Sequence, residues 1–178
     1  AKGETMAIES IGVIGGGAWG TALAQTLRLA GRRVTLWARE AETVDDINAR
    51  HVNRTFLPGV PLDPGLTATG ELAALASADA LLMVAPAQHV RTIAKQLRPQ
   101  LRPGQPVVLC AKGIEQTTGR MLGDVLTEVL PDQTLAVLSG PSFAADVARG
   151  LPAALTIACQ REDMGRELAE RMGYRQFR

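Results

Sequence analysis

The segment Gly15-Gly-Gly-Ala-Trp-Gly20 follows the apolar run Ile11-Gly-Val-Ile14 and precedes Thr21-Ala-Leu-Ala-Gln-Thr-Leu27. Gly15, Gly17 and Gly20 therefore stand in G-x-G-x-x-G spacing between a predicted strand and a predicted helix. In that setting Gly15 permits the tight turn. Gly17 removes the side chain that would hold the backbone away from a pyrophosphate, and Gly20 lets the helix pack closely on the strand. The first turn of the helix offers unpaired N–H groups and the positive end of its dipole to phosphate. Glycine-rich turns also join strands to helices for structural reasons alone. Here a second run, Val34-Thr-Leu-Trp37, returns after the helix as a βαβ unit requires, and Gly31 suits the helix C-terminus. The segment predicts a site for a dinucleotide, NAD(P) or FAD.

Two further positions carry pointed charge. Arg39 stands at the end of the second strand, where an acidic residue would bond the ribose hydroxyls of NAD and an arginine accommodates the 2′-phosphate of NADP. Its guanidinium can pair with phosphate or stack on adenine. This favours NADP, or use of both cofactors. Glu40 follows directly, and can be either a ribose ligand or the first-turn acid of the next helix. Lys112 comes straight after Val107-Val-Leu-Cys-Ala111 and before Gly113. A cation at the mouth of a buried strand can bind an anionic substrate or polarise a carbonyl; the plainer alternative is a surface lysine on a loop. The turn Ser139-Gly-Pro-Ser142 can offer N–H groups and a hydroxyl, although Ser142 would serve equally as a helix N-cap.

No nucleophile and base are spaced for catalysis. Hydride transfer to a carbonyl needs a proton donor, so the donor is either Lys112 or a residue outside these 178. His51 and His89 have no ligand partners nearby, and no C-x-x-C or Cys/His cluster suggests a metal. Cys110 and Cys159 end apolar runs and read as buried thiols.

Elements must hold these groups together. Short apolar strands alternate with helical patterns: strands at 11–14, 34–37, 66–69, 80–84, 106–110, 135–138 and 154–158, and helices at 40–50, 71–76, 86–97, 117–130, 143–149 and 162–172. Near-continuous apolar strands fit a parallel sheet covered on both faces. The architecture expected is a Rossmann-like, doubly wound α/β domain with a mostly parallel sheet. Ligands bind at strand carboxyl ends in such sheets. Five of these ends, Gly15–Gly20, Ala38–Glu40, Ala85–Gln88, Ala111–Glu115 and Ser139–Ser142, are small, polar or charged. The Pro- and Gly-rich stretch 51–65 is longer than most connections, which more often signals function than spacing.

Composition bounds the reading. A chain of 178 residues, 46% hydrophobic, suits one domain with a real core. Residues 1–7 read as a disordered extension or cloning remnant, and 8–178 as the dinucleotide-binding domain. A net charge of +1 and 3% aromatics give no reason to expect nucleic acid or a membrane surface. No apolar stretch suits a bilayer and the start lacks a signal-peptide pattern, so a cytoplasmic location is expected.

Six segments in order carry a more specific signal: Ile11–Ala24, Leu36-Trp-Ala-Arg39, Asn53-Arg-Thr-Phe-Leu-Pro-Gly59, Val84-Ala-Pro86, Ala111-Lys-Gly-Ile-Glu115 and Ser139-Gly-Pro-Ser-Phe-Ala144. Together they resemble the N-terminal domain of bacterial-type NAD(P)-dependent glycerol-3-phosphate dehydrogenase. Ketopantoate reductases and UDP-sugar dehydrogenases share only the fingerprint and the fold. The resemblance implies reduction of dihydroxyacetone phosphate to sn-glycerol 3-phosphate, a phospholipid precursor. It implies cofactor contacts at Gly15, Gly17, Ala18, Trp19, Gly20, Arg39, Pro86, Lys112 and Ala144. Substrate contacts are implied at Lys112, Gly140 and Ser142. Family members continue into a helical domain bearing the catalytic lysine and the grip on the substrate phosphate. The chain is thus expected to be a cofactor-binding portion without its own catalytic residue and inactive alone, in a full-length enzyme that admits a homodimer. A non-catalytic NAD(P)-binding sensor is the alternative; Lys112 and Ser139–Ser142 favour the enzyme.

Overall fold

The computed structural model describes residues 7–175 and residue 177. The expected N-terminal extension therefore falls, apart from Ala7, outside the described residues. Among the described residues seven strands form one sheet: β1 (Ser10–Ile14), β2 (Arg33–Trp37), β3 (Thr67–Thr69), β4 (Ala80–Met83), β5 (Pro106–Leu109), β6 (Thr134–Ser139) and β7 (Thr156–Cys159). Their order is β3-β2-β1-β4-β5-β6-β7. All neighbours from β3 through β6 pair in parallel. The chain leaves β1 toward β2 on one side and returns to β4 on the other. That reversal is the switch point where a crevice opens at the strand carboxyl ends.

The helices are α1 (Ala18–Leu29), α2 (Ala41–Asp45), α3 (Val90–Leu97), α4 (Leu122–Val129), α5 (Ala144–Ala148) and α6 (Glu162–Met172). Every residue of β4 and β5 is buried, which explains why these strands read as unbroken apolar runs. One core lies on the α1 face, with Leu23, Leu27, Val13, Leu82 and Leu168. The other lies under α3 and α4, with Ile14, Leu81, Met83, Val90 and Leu126. The α1 helix stops where expected: Gly31 takes φ of +86° and the Arg32 N–H donates back to the Leu27 carbonyl at 3.0 Å.

Several helices differ in extent or type from the sequence reading. The helix expected at 117–130 begins only at Leu122. Residues 115–120 instead close on themselves, with the Glu115 N–H on the Arg120 carbonyl, the Gly119 N–H on the Glu115 carbonyl, and Gly119 at φ +68°. The helix expected at 40–50 is α2 followed by a π-helical turn, Asp46–Arg50, closed by His51 at φ +54°. The helix expected at 71–76 shortens to a 3₁₀ turn, Leu72–Leu75. The last strand runs antiparallel to β6, with Val137 opposite Ala158; an apolar run reads alike in both directions, so its pattern carried no information on polarity. Lying at the sheet edge, β7 also leaves Cys159 only partly buried, against expectation, while Cys110 is buried. No described helix is long and apolar enough to cross a membrane.

Candidate functional site

The glycine loop caps the carboxyl end of β1. Gly15 sits at φ +127°, a conformation that side chains rarely tolerate, and donates its N–H to the Trp37 carbonyl at 3.0 Å. A Cβ on Gly15 would also meet the Val84 carbonyl group at 2.9 Å, and one on Gly20 would lie 1.9 Å from the Gly15 oxygen. These two glycines are demanded by the protein's own packing. Gly17 is different. Its φ of −70° and ψ of −177° suit any residue, and beyond its chain neighbours no atom of the described residues lies within 4 Å of where its Cβ would be. The open space lies at the N-cap of α1, which no side chain caps. An N-terminus left bare in this way suits an anion.

Four strand ends meet in one cleft of about 420 Å³. Ala18 and Trp19 come from the first turn of α1, Pro86 from the end of β4, Lys112 from the end of β5, and Gly140, Ser142 and Ala144 from the end of β6. Ser142 Oγ is buried there without a hydrogen-bond partner among the described residues. Leaving such a group unsatisfied costs about 1–3 kcal/mol, which a polar ligand would recover. Lys112 is exposed and has no ion-pair partner among the described residues. Gly140 has a structural reason of its own, since a Cβ would press on Leu155 Cδ2 at 2.5 Å and the Ala154 carbonyl oxygen at 2.8 Å. Phe143 stands at the mouth, 79% exposed. A larger hollow of about 640 Å³ lies beside α4, β6 and β7, and neither the glycine loop nor Lys112 lines it.

The loop bearing Lys112 is fastened to the start of α3. Gln88 donates to the Ile114 carbonyl at 3.0 Å and accepts from the Gln116 N–H at 2.9 Å. The Arg91 guanidinium forks onto Glu115 at 2.8 and 3.0 Å and also reaches Glu128 at 2.8 Å. Thr118 donates to the same Glu115 carboxylate. The Arg91 fork, aided by Thr118, pulls the Glu115 carboxyl down to about 2. The sequence singles out Lys112 in this stretch; that Glu115 is its anchor depends on Arg91, 24 residues earlier.

Arg39 does not join the cleft. It stands beyond the glycine loop at the end of β2, next to Ala38, whose Cβ would lie 2.6 Å from a Cβ on Gly16. Its side chain is 74% exposed and meets Glu40 at 3.1 Å. An exposed pair of this kind contributes about 0–1 kcal/mol, so it offers little resistance to a competing phosphate. The sites thus divide into a basic end beside β2, a bare helix terminus beside β1, and a cleft across β4–β6. All three lie at strand carboxyl ends, where sheets of this kind bind ligands.

Asn53 was missed as a site residue. It is 1% exposed and hydrogen-bonds the glycine loop directly, although it belongs to the long 51–65 stretch. Its signals in the sequence are its place in a Pro- and Gly-rich connection of unusual length and at the head of the segment Asn53–Gly59.

Residues 10–165 match the family described as NAD-dependent glycerol-3-phosphate dehydrogenase N-terminus. Among curated proteins, glycerol-3-phosphate dehydrogenase [NAD(P)+] of Paramagnetospirillum magneticum is 57% identical over 96% of this chain and 62% of its own length. The same enzyme of Rhodospirillum rubrum is 57% identical over 96% of this chain and 49% of its own length. Among solved structures, glycerol-3-phosphate dehydrogenase of Coxiella burnetii superposes with a TM-score of 0.89 at 32% identity, over 96% of this chain and 52% of that one. The chain spans about half the length of the relatives it matches.

Proposed function

This chain belongs to the NAD-dependent glycerol-3-phosphate dehydrogenase N-terminus family, and we propose that it is the cofactor-binding portion of an enzyme that reduces dihydroxyacetone phosphate to sn-glycerol 3-phosphate. The observation that carries the reading is the pairing of an unobstructed Gly17 with a buried, partnerless Ser142 hydroxyl in neighbouring parts of one crevice. Both are groups the protein alone leaves unused.

NAD(P)H, when bound, supplies a hydride. The chain's own residues then have distinct tasks. The N–H groups at Gly17, Ala18 and Trp19 face the pyrophosphate, with Gly15 and Gly20 fixing the loop. Arg39 meets the adenosine end and gives NADP its extra contact. Pro86 and Ala144 wall the cleft on the nicotinamide side. Lys112 places an ammonium beside both cofactor and substrate, where it stabilises charge developing on a carbonyl oxygen. Ser142 donates a hydroxyl and the Gly140 segment its backbone to the substrate. Lys112 cannot at once hold a phosphate, orient the ketone and deliver the proton, so these 178 residues alone are expected to bind cofactor without useful turnover. Dihydroxyacetone phosphate and sn-glycerol 3-phosphate are the partners of the whole enzyme, which we place in the cytoplasm, as a homodimer, with no nucleic-acid or membrane partner. The sensor alternative leaves Lys112 and Ser142 without a task.

The test is titration calorimetry with NADPH and NADH. Tight binding of NADPH is expected, and Arg39→Ala should weaken NADPH more than NADH, because only NADPH has a 2′-phosphate to lose. Absence of binding to either nucleotide would end the reading; equal loss for both would remove Arg39 from its role.

A further inference from the structure

The buried Asn53 does more than fill the space beneath the glycine loop. Its amide donates to the Gly16 carbonyl at 2.9 Å and to Thr21 Oγ1 at 2.8 Å. Thr21 Oγ1 in turn reaches the same Gly16 carbonyl at 3.4 Å. The Asn53 Oδ1 accepts the Phe56 N–H at 3.1 Å, and the Leu57 N–H closes on the Asn53 carbonyl at 2.9 Å. The neighbouring Arg54 forks onto Asp46 at 2.7 and 2.9 Å, and that carboxylate is 1% exposed. A second arginine, Arg50, also reaches Asp46 at 2.9 Å. Asn53 is therefore held from below and grips the loop from beneath.

The consequence follows from peptide geometry. Three glycines in a row, 15–17, give the chain unusual freedom to rotate a peptide plane. In a trans peptide the C=O and the next N–H point in opposite directions. Pinning the Gly16 oxygen inward on Asn53 turns the Gly17 N–H outward. That is the amide at the unobstructed residue. A flipped plane would instead aim a carbonyl oxygen at a phosphate.

We infer that Asn53 is a positioning residue, which locks the Gly16–Gly17 peptide so that its N–H faces the cofactor pyrophosphate. The inference rests on the cofactor reading above. It assigns Asn53 no contact with the nucleotide. Thr21 secures the same oxygen as a second donor, and the Asp46–Arg54 pair holds the Asn53 segment in place.

Asn53→Asp tests it, because the carboxylate keeps the shape and the acceptor for Phe56 but loses the donor to Gly16. NADPH affinity should fall about tenfold to a hundredfold, the range for one hydrogen bond to a charged group. Adenosine 2′-monophosphate, which carries no pyrophosphate, should bind the variant within about twofold of the wild type; a loop that had merely come apart would weaken both probes. Wild-type affinity for NADPH in a folded Asn53→Asp protein would overturn the inference and leave the cofactor reading intact. Failure of the unaltered chain to bind NADPH would overturn the cofactor reading, and the inference with it. If the variant does not fold, nitrogen-15 NMR of the unaltered chain decides the matter. The Gly17 amide proton should move strongly downfield on adding NADPH, and an unmoved Gly17 resonance at saturation would refute the lock.

Discussion

Gly17→Ala and Gly20→Ala make the same chemical change three residues apart, yet they should fail in opposite ways. At Gly17 the backbone is in an ordinary conformation and the added methyl meets nothing within 4 Å. Removing unfolded-state freedom stabilises by about 0.4–1 kcal/mol, while alanine is a poorer N-cap than glycine by a comparable amount. Net stability should stay within about 1 kcal/mol of wild type. The methyl does, however, stand in the space at the helix terminus. Losing one charge-assisted hydrogen bond to phosphate costs about 1.5–3 kcal/mol, roughly tenfold to a hundredfold in Kd. At Gly20 the Cβ would lie 1.9 Å from the Gly15 carbonyl oxygen, so backbone must move. Overpacking costs about 1–3 kcal/mol even where side chains can yield. A loss of about 3 kcal/mol or more is expected, out of a total near 5–15. Urea unfolding and NADPH titration, the latter read through Trp19 and Trp37, measure the two quantities separately. A Gly17→Ala protein that binds NADPH like wild type would refute the assignment of the open space to pyrophosphate. A Gly20→Ala protein as stable as wild type would refute the packing argument.

Other outcomes follow from the surrounding structure. Glu115→Gln should loosen the Lys112 loop, seen as faster amide exchange at 112–116 with little change in affinity for adenosine 2′-monophosphate, which meets only the Arg39 end; unchanged exchange would mean the Arg91 fork does not hold the loop. Because the folded-state pKa of Glu115 is depressed from 4.5 to about 2, its contribution is fully present above about 4.5 and is lost as pH falls toward 2. The difference in Tm between wild type and Glu115→Gln should accordingly shrink between pH 4.5 and 2, and a constant difference would contradict the ion pair. Burial pushes the Cys110 thiol far above its usual range, so iodoacetamide should modify the partly exposed Cys159 first and Cys110 only on unfolding, as mass spectrometry would report. Leu82→Ala, at a fully buried position of β4, should cost about 2–5 kcal/mol in urea unfolding.

The sequence by itself determined the parts of this protein that depend on local chemistry. The G-x-G-x-x-G spacing located the turn and the start of α1, because only glycine allows Gly15 its φ of +127° and Gly20 its closeness to the Gly15 oxygen. Unbroken apolar runs located β4 and β5, because strands covered on both faces cannot alternate. Lys112 and Ser142 were visible as polar groups at the ends of such runs. The tertiary structure alone decided what depends on partners distant in sequence. The direction of β7 is set by what it packs against, and apolar pattern has no polarity. The late start of α4 follows a loop held by Glu115 on Arg91, which local helix preference cannot anticipate. Arg39 lies apart from the cleft because β2 and β4 flank β1 on opposite sides. Asn53 reaches Gly16 across 37 residues, a contact no local pattern encodes, so its hold on the glycine loop became legible only in the tertiary structure.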